Sequence, residues 1–391
     1  MNECRNTPVT KDAYITKISA FLPNEPVGND EIEDILGQIN NQKSRARRIV
    51  LRNNGIKQRY YAIDKQTKEL THNNAQLAAE AIKKLAAQDF PIEQIECLCC
   101  GTSRPDQIMP NHAVMVHGEL GIPPCEVVST SGVCASGISA LKFGFMSVKS
   151  GLSRNAVASG SDLSSLSMLG SNFSTEDDSK VDSLTRKPEL AFEKDFLRWM
   201  LSDGAGCVLI EPKANANSHS LRIDWIDQIS FANEENTCMF SGAVKLENGN
   251  LKGWREFKLR DPEEVSNVFA VKQDVRQLNN RIVPLTVEKG LSIIADKRRL
   301  KPEDIDYFLP HYSSEYFRDK LAKGLDNIGF SIPQEKWFTN LVNKGNTGAA
   351  SMYIMLEEIF NGKQLKKGDR LLCFIPESGR FLTAYVHLTV V

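Results

Sequence analysis

Residues 137–151 read GISALKFGFMSVKSG, and residues 348–362 read GAASMYIMLEEIFNG. Each has a small-residue start, an apolar run of helical length and a closing glycine, the residue that most often follows a helix end. Gly137 and Gly348 are 211 residues apart, and so are Gly151 and Gly362. A strand-like run follows each, at 155–160 and 370–376. A second pair keeps almost the same spacing. Residues 79–103, AEAIKKLAAQDFPIEQIECLCCGTS, match residues 288–314, EKGLSIIADKRRLKPEDIDYFLPHYSS. Ile95 falls on Ile305, and Gly101 on His311, at an offset of 210. The period is far too long for a solenoid and points to one duplicated unit.

Strand-like runs at 14–22, 95–100, 126–130, 156–159, 207–211, 307–309 and 371–375 alternate with helical stretches. That order implies an α/β fold with buried mixed sheets. The division expected from the repeat is 1–212 and 213–391. Two polar stretches break the rhythm. Residues 171–193 read as an inserted flap in the first half. Residues 213–264, around a strand-like run at 221–231, read as a decorated edge between the halves, within the second unit.

Composition narrows the function classes. The chain has 391 residues, of which 41% are hydrophobic and 25% charged. Disordered and coiled-coil chains are excluded. Lys and Arg total 48 against 49 Asp and Glu, a net charge of -1, so no broad basic surface marks a nucleic-acid binder. The first twelve residues have no apolar core of a signal peptide, and no run approaches the ~20 apolar residues of a bilayer span. Nine cysteines in a chain of this size read as reduced thiols of a cytoplasmic protein.

The chemistry-bearing stretch is 126–145, EVVSTSGVCASGISALKFGF. An apolar strand ends in Ser-Thr-Ser-Gly, Cys134 follows, and a helix begins. Unpaired N–H groups at a helix start favour thiolate over thiol, so Cys134 is the expected nucleophile. Cys97, Cys99 and Cys100 sit inside a strand, where neighbours point to opposite faces, and are expected in the core. Cys207 and Cys373 read likewise. His311 ends a strand at a loop mouth, where catalytic groups are commonly mounted. Asn346 stands in GNTGAAS at a helix entrance, where capping is the simpler role. His112 and His117, five apart on a helix, make a weak metal pair, and no metal site is expected. Residues 202–206, SDGAG, read as a tight turn, without the glycine spacing of a dinucleotide fingerprint.

Cys134, His311 and Asn346, in that order on a duplicated α/β chain, resemble the thiolase superfamily, and more closely the β-ketoacyl-acyl carrier protein synthase III condensing enzymes. SGVCASG, RWMLSDGAGCVL, LPH and GNTGAAS carry the resemblance, which runs from Ile15 to Val391. It implies a thiolase-like duplicated αβαβα five-layered fold and a homodimer. It implies an acyl group on Cys134, with His311 and Asn346 donating to the carbonyl of a second thioester. The backbone N–H groups of Cys134 and Gly379 would form the oxyanion hole. Carrier-protein or coenzyme A thioesters would be the substrates, with no further cofactor and no nucleic-acid or membrane partner.

The departures narrow the branch. Where relatives carry an aromatic and a triple glycine, this chain has Pro376-Glu-Ser-Gly-Arg-Phe381. Arg48 replaces the tryptophan that stacks on coenzyme A, while Arg52 is kept. Tyr312-Ser313-Ser314 replaces Gln-Ala-Asn after the histidine. These features resemble the ketosynthase–cyclases of dialkylresorcinol and stilbene pathways, which join two β-ketoacyl thioesters and close a ring. Glu377 is then a candidate base, against a simple ion pair with Arg380. The alternative is a fatty-acid initiator using acyl-coenzyme A and malonyl carrier protein. A cysteine hydrolase and a non-catalytic partner subunit are further alternatives. The basic run 43–52, with Arg48, Arg52, Lys57 and Arg59, is the expected landing surface for an acidic carrier protein.

Overall fold

The computed structural model describes residues 12–173, 197–257, 268–362 and 364–391. Most of the expected flap, and residues 258–264 of the expected decoration, lie outside them. Nine strands form one sheet. They are β1 (Tyr14–Phe21), β2 (Cys97–Thr102), β3 (Glu126–Ser131), β4 (Ala156–Asp162), β5 (Gly204–Glu211), β6 (Leu221–Ser230), β7 (Tyr307–Pro310), β8 (Arg370–Pro376) and β9 (Leu382–Val390). Their order is β7-β8-β9-β6-β1-β5-β4-β2-β3.

The sheet is two like halves joined at their first strands. In one, β3, β2 and β4 run parallel, and β5 and β1 follow antiparallel. In the other, β7 and β8 run parallel, and β9 and β6 follow antiparallel. The fifth strand of the second half is reduced to a parallel bridge between Phe308 and Trp337. β1 and β6 meet only at Tyr14–Arg222 and Ile15–Leu221.

The main helices are α1 (Arg47–Asn54), α2 (Asn74–Lys83), α3 (His112–Leu120), α4 (Ser136–Ser150), α5 (Val275–Val283), α6 (Gly290–Arg298), α7 (Arg318–Asn327) and α8 (Ser351–Asn361). Three buried apolar clusters separate five layers. One lies between α2, α3 and the first half-sheet. The central one holds α4 and α8 between the half-sheets. The third packs α5, α6 and α7 on the second half-sheet. The fold is thiolase-like and duplicated.

β2 shows how sequence sets these layers. All six residues are buried, as in parallel strands covered on both faces. Cys97 and Cys99 point to the central cluster, while Leu98 and Cys100 point to α2 and α3. Every described cysteine is a free thiol.

The central layer needs glycine. A Cβ on Gly137 would stand 2.4 Å from the Ala349 carbonyl oxygen, and one on Gly160 would stand 2.2 Å from the same atom. The start of α4, the end of β4 and the turn before α8 therefore meet backbone to backbone. The Tyr353 hydroxyl donates to the Gly137 carbonyl at 2.7 Å and fixes α8 against α4.

Two expectations change. Residues 221–230 do lie between the halves, but as a sheet strand and not as decoration. They form β6, paired with both β9 and β1 in mid-sheet. The true additions are the short pairs Ala243–Lys245 with Leu251–Gly253 and Met239–Phe240 with Lys272–Gln273. β9 had no counterpart in the sequence reading, although its Thr, Tyr and Val content suits a strand. Among the described residues no helix is long and apolar enough to cross a membrane.

Candidate active site

The site assembles at the carboxyl ends of the parallel strands. Cys134 lies three residues past β3, in the turn that opens α4. His311 directly follows β7, and Glu377 directly follows β8. Asn346 precedes the turn 348–350 that leads into α8. Cys134, His311, Asn346, Pro376 and Ser378 line one cavity of about 380 Å³. Its far wall is apolar, with Leu278 and Ile282 from α5, Phe317, Leu321 from α7, and Phe374 from β8.

Asn346 is held at both ends. Its N–H donates to the Met200 carbonyl at 3.1 Å, and its carbonyl accepts from Ser202 N–H at 2.9 Å. Its Oδ1 accepts from Gly348 N–H at 3.0 Å. This bond closes an Asx turn and caps no helix, and it leaves the side-chain amino group as the group to offer a ligand. His311 is buried, and its N–H donates to the Phe374 carbonyl at 2.8 Å. Burial pulls its imidazole down to a pKa of about 4, so the ring is neutral at pH 7 and carries one N–H donor.

The electrostatics of Cys134 overturn one expectation. Its thiol is pushed up, first by burial and then by the carboxylates of Glu377 and Asp162. Two of the N–H groups expected to favour thiolate are already occupied, which leaves the N–H of Cys134 itself to lower the thiol. Glu377 Oε2 accepts from Val133 N–H at 3.1 Å and from Ala135 N–H at 3.3 Å. Burial first, and then the nearby carboxylates, favour the thiol form of Cys134, and Glu377 also takes the helix-start donors on either side of it. Burial raises the pKa of Glu377 as well, while the two N–H groups lower it. Glu377 forms no ion pair with Arg380, whose Nε donates instead to the Glu235 carbonyl at 2.8 Å.

Gly379 sits beside this carboxylate. A Cβ there would be 3.0 Å from Glu377 Oε1 and 3.1 Å from Val133 Cγ2. Its carbonyl accepts from Cys238 and Met239 N–H at 2.9 and 3.2 Å. Among the described residues, no hydrogen bond to another residue uses the N–H of Cys134 or of Gly379.

Sequence reading missed two organising carboxylates. Asp162 Oδ1 accepts from Ser103 Oγ at 2.6 Å and Ser103 N–H at 2.9 Å, and its Oδ2 accepts from Ala349 N–H at 2.6 Å. It ties the ends of β2 and β4 to the turn that carries Asn346. Asp203, read as part of a turn, accepts from Ala62 N–H at 2.8 Å, Ser164 N–H at 2.6 Å and Ser165 N–H at 2.9 Å. Only an Asp one residue ahead of a buried strand marked it in the sequence.

Other candidates fall outside the site. His112 is buried, with Nε2 2.9 Å from Ser161 Oγ, while half-buried His117 contacts the Pro123 carbonyl. Among the described residues no cluster of three or more His, Cys, Asp or Glu is arranged to hold a metal. Arg48 and Arg52 lie exposed on one face of α1, with exposed Lys57 just beyond it. Arg59 does not join them. It is fully buried, donating to Asn29 Oδ1 at 2.6 Å and to the Trp199 carbonyl at 3.1 Å.

Residues 295–382 match the family described as 3-oxoacyl-[acyl-carrier-protein (ACP)] synthase III C terminal. A β-ketoacyl-[acyl-carrier-protein] synthase III of Clostridium perfringens is 26% identical over 363 residues, covering 93% of this chain and 94% of that protein. Among solved structures, AbyA1, a tetronic acid condensing enzyme, aligns with a TM-score of 0.73 at 18% identity, covering 96% of this chain and 99% of that one. OleA of Xanthomonas campestris, with bound lauric acid and lauroyl-CoA, aligns with a TM-score of 0.72 at 17% identity, covering 97% and 99%.

Proposed function

We propose that this chain, which belongs to the β-ketoacyl-acyl carrier protein synthase III-like condensing enzymes, joins two β-ketoacyl thioesters and closes them into a resorcinol- or cyclohexanedione-type ring. The observation that carries this reading is Glu377. It is a buried carboxylate held on the N–H groups flanking Cys134, and it stands between Pro376 and Ser378, which line the cavity.

The roles follow from the geometry. Cys134 Sγ attacks the first thioester carbonyl, forming the new C–S bond as the carrier thiol leaves with the proton. The N–H groups of Cys134 and Gly379 stabilise the oxyanion. Neutral His311 and the Asn346 amino group donate to the second thioester carbonyl. Glu377 removes the α-proton that the adjacent keto group has already acidified. Its upward pKa shift suits a base working near neutral pH. The carbanion attacks the acyl carbonyl, the C–S bond breaks, and Cys134 takes a proton again. A second enolate carbon attacks the remaining thioester carbonyl, whose C–S bond breaks, and the second carrier thiol leaves with a proton as the ring closes.

The same reading places the halves at 1–212 and 213–391, supported by the matched strand order. It takes α1 as the carrier-protein landing site. Arg48, Arg52 and Lys57 are exposed there, and Gly55, just past α1, abuts Glu315 two residues from the cavity-lining Phe317. It also places a homodimer contact on β3, a sheet-edge strand whose residues are half-buried or exposed.

The test is mass spectrometry of Cys134 and of the released product, with malonyl and with β-ketoacyl carrier thioesters. Two β-ketoacyl units should give a ring product and C134A none. A product only with malonyl thioester would instead support the initiator reading. Free acid without a longer product would support hydrolysis.

A further inference from the structure

The cavity holds a cation that this mechanism does not use. Arg104 lines it together with Cys134 and Asp162. Three neighbouring parallel strands deliver these residues. Thr102 of β2 stands in register with Ser131 of β3 and Ser161 of β4. Arg104, Cys134 and Asp162 follow those positions by two, three and one residues.

The backbone of Arg104 is fixed. Its N–H donates to Thr102 Oγ1 at 3.2 Å, and its carbonyl accepts from Asn74 Nδ2 at 2.8 Å. Its guanidinium has one protein partner among the described residues, Ser167 Oγ at 2.5 Å from Nη1. No carboxylate there lies within ion-pair distance. Asp162 and Asp203 act on it only through space, since neutral N–H and hydroxyl donors fill their oxygens. A guanidinium has five N–H donors in a planar fork. Most of this fork is therefore turned to a cavity whose other walls are largely apolar. A cation removed from bulk water is costly unless an acceptor meets it.

We propose that Arg104 is a specificity-determining residue that binds an oxygen on the β-carbon of the acyl group in this cavity, either a β-keto oxygen in its enolised form or a β-carboxylate. The enolate oxygen and the carboxylate oxygen carry negative charge, and both sit on a carbon two bonds from the thioester carbon that His311 and Asn346 address. An acyl chain lacking that oxygen leaves the fork unpaired, which disfavours it more than the contact itself favours the right ligand. This inference rests on the condensing reading above and names the feature by which the site recognises its substrate.

The test uses binding, so that it stands apart from turnover. In C134A, dissociation constants are measured by calorimetry for 3-oxooctanoyl, octanoyl and malonyl pantetheine. The 3-oxo or the malonyl ligand should bind at least about 10-fold tighter than octanoyl, the range of one charge-assisted hydrogen bond. Adding Arg104→Gln should cut that preference by about 10- to 100-fold, and Arg104→Lys should keep part of it. Whichever ligand loses more identifies the oxygen source. No preference in C134A overturns the proposal, as does a preference that survives Arg104→Gln. Equal weakening of all three ligands would make Arg104 a structural counter-charge to Asp162 and also overturn it. If Arg104→Gln shows no cooperative melt, the Arg104→Lys ratio decides. Absence of a condensed product from 3-oxo thioesters would sink the ring-forming reading while leaving this binding ratio to stand or fall alone.

Discussion

Glu377→Gln separates two effects that one carboxylate imposes on one thiol. The side chain accepts N–H bonds from Val133 and Ala135 on either side of Cys134. A glutamine carbonyl accepts the same two bonds, so the turn keeps its shape while the charge disappears. The carboxylate is the largest named electrostatic influence raising the Cys134 pKa after burial. A unit charge roughly 5 Å away, at an effective dielectric of about 20, amounts to about 3 kcal/mol, or roughly two pH units. An anion opposes thiolate formation, so its removal lowers the thiol pKa. Burial remains, so the expected fall is about one to two units. The assay is the rate of Cys134 alkylation by iodoacetamide from pH 6 to 10, read by peptide mass. The Glu377→Gln profile should move to lower pH, with about 10-fold faster alkylation near pH 8. Condensation of β-ketoacyl thioesters should fall about 100-fold or more in the same variant, from loss of a general base. An unshifted alkylation profile would refute the electrostatic argument. A shifted profile with unchanged product formation would remove Glu377 from the chemistry and leave it as a brace for the turn.

Three further outcomes follow from the same structure. His112 is buried with its pKa lowered to about 4, so the unfolded chain takes up a proton near pH 6.5 while the folded chain does not; stability should fall between pH 6.5 and 4 by up to ~3 kcal/mol from this residue, and His112→Gln should flatten that part of the melting-temperature profile. Gly160→Ala places a methyl 2.2 Å from the Ala349 carbonyl oxygen, so urea titration should show a loss of about 3 kcal/mol or more, or no folded protein. Arg48→Glu on exposed α1 should raise KM for a carrier-bound thioester about 10-fold, and much less for a pantetheine mimic; equal effects would move the landing site elsewhere.

Much of the fold is legible because it rests on local patterns repeated at a fixed offset. The two glycine-bounded helices near 137–151 and 348–362 are α4 and α8, and the strand before each catalytic loop falls where its apolar run predicts. The strand at 221–230 and its position between the halves were legible, but its pairing within the sheet was not. Nothing local distinguishes an edge from a strand that joins two half-sheets, because that depends on which distant strands pair with it.

The site divides in the same way. Cys134, His311 and Asn346 are marked by residue type and by position at element ends, and those are properties of the chain. The state of Cys134 is not. A cysteine at a helix start looks activated until Glu377, 242 residues from Ala135 along the chain, occupies the N–H groups beside it. Arg59 reads as one more surface cation until Trp199 and Asn29 enclose it. Arg104 carries no local mark in the sequence, and only the register of three strands sets it in the cavity with Cys134. Sequence determines which groups exist and the local elements that carry them. Charge, burial and hydrogen-bond occupancy depend on neighbours far along the chain, so only the tertiary structure decides which of these groups are free to act.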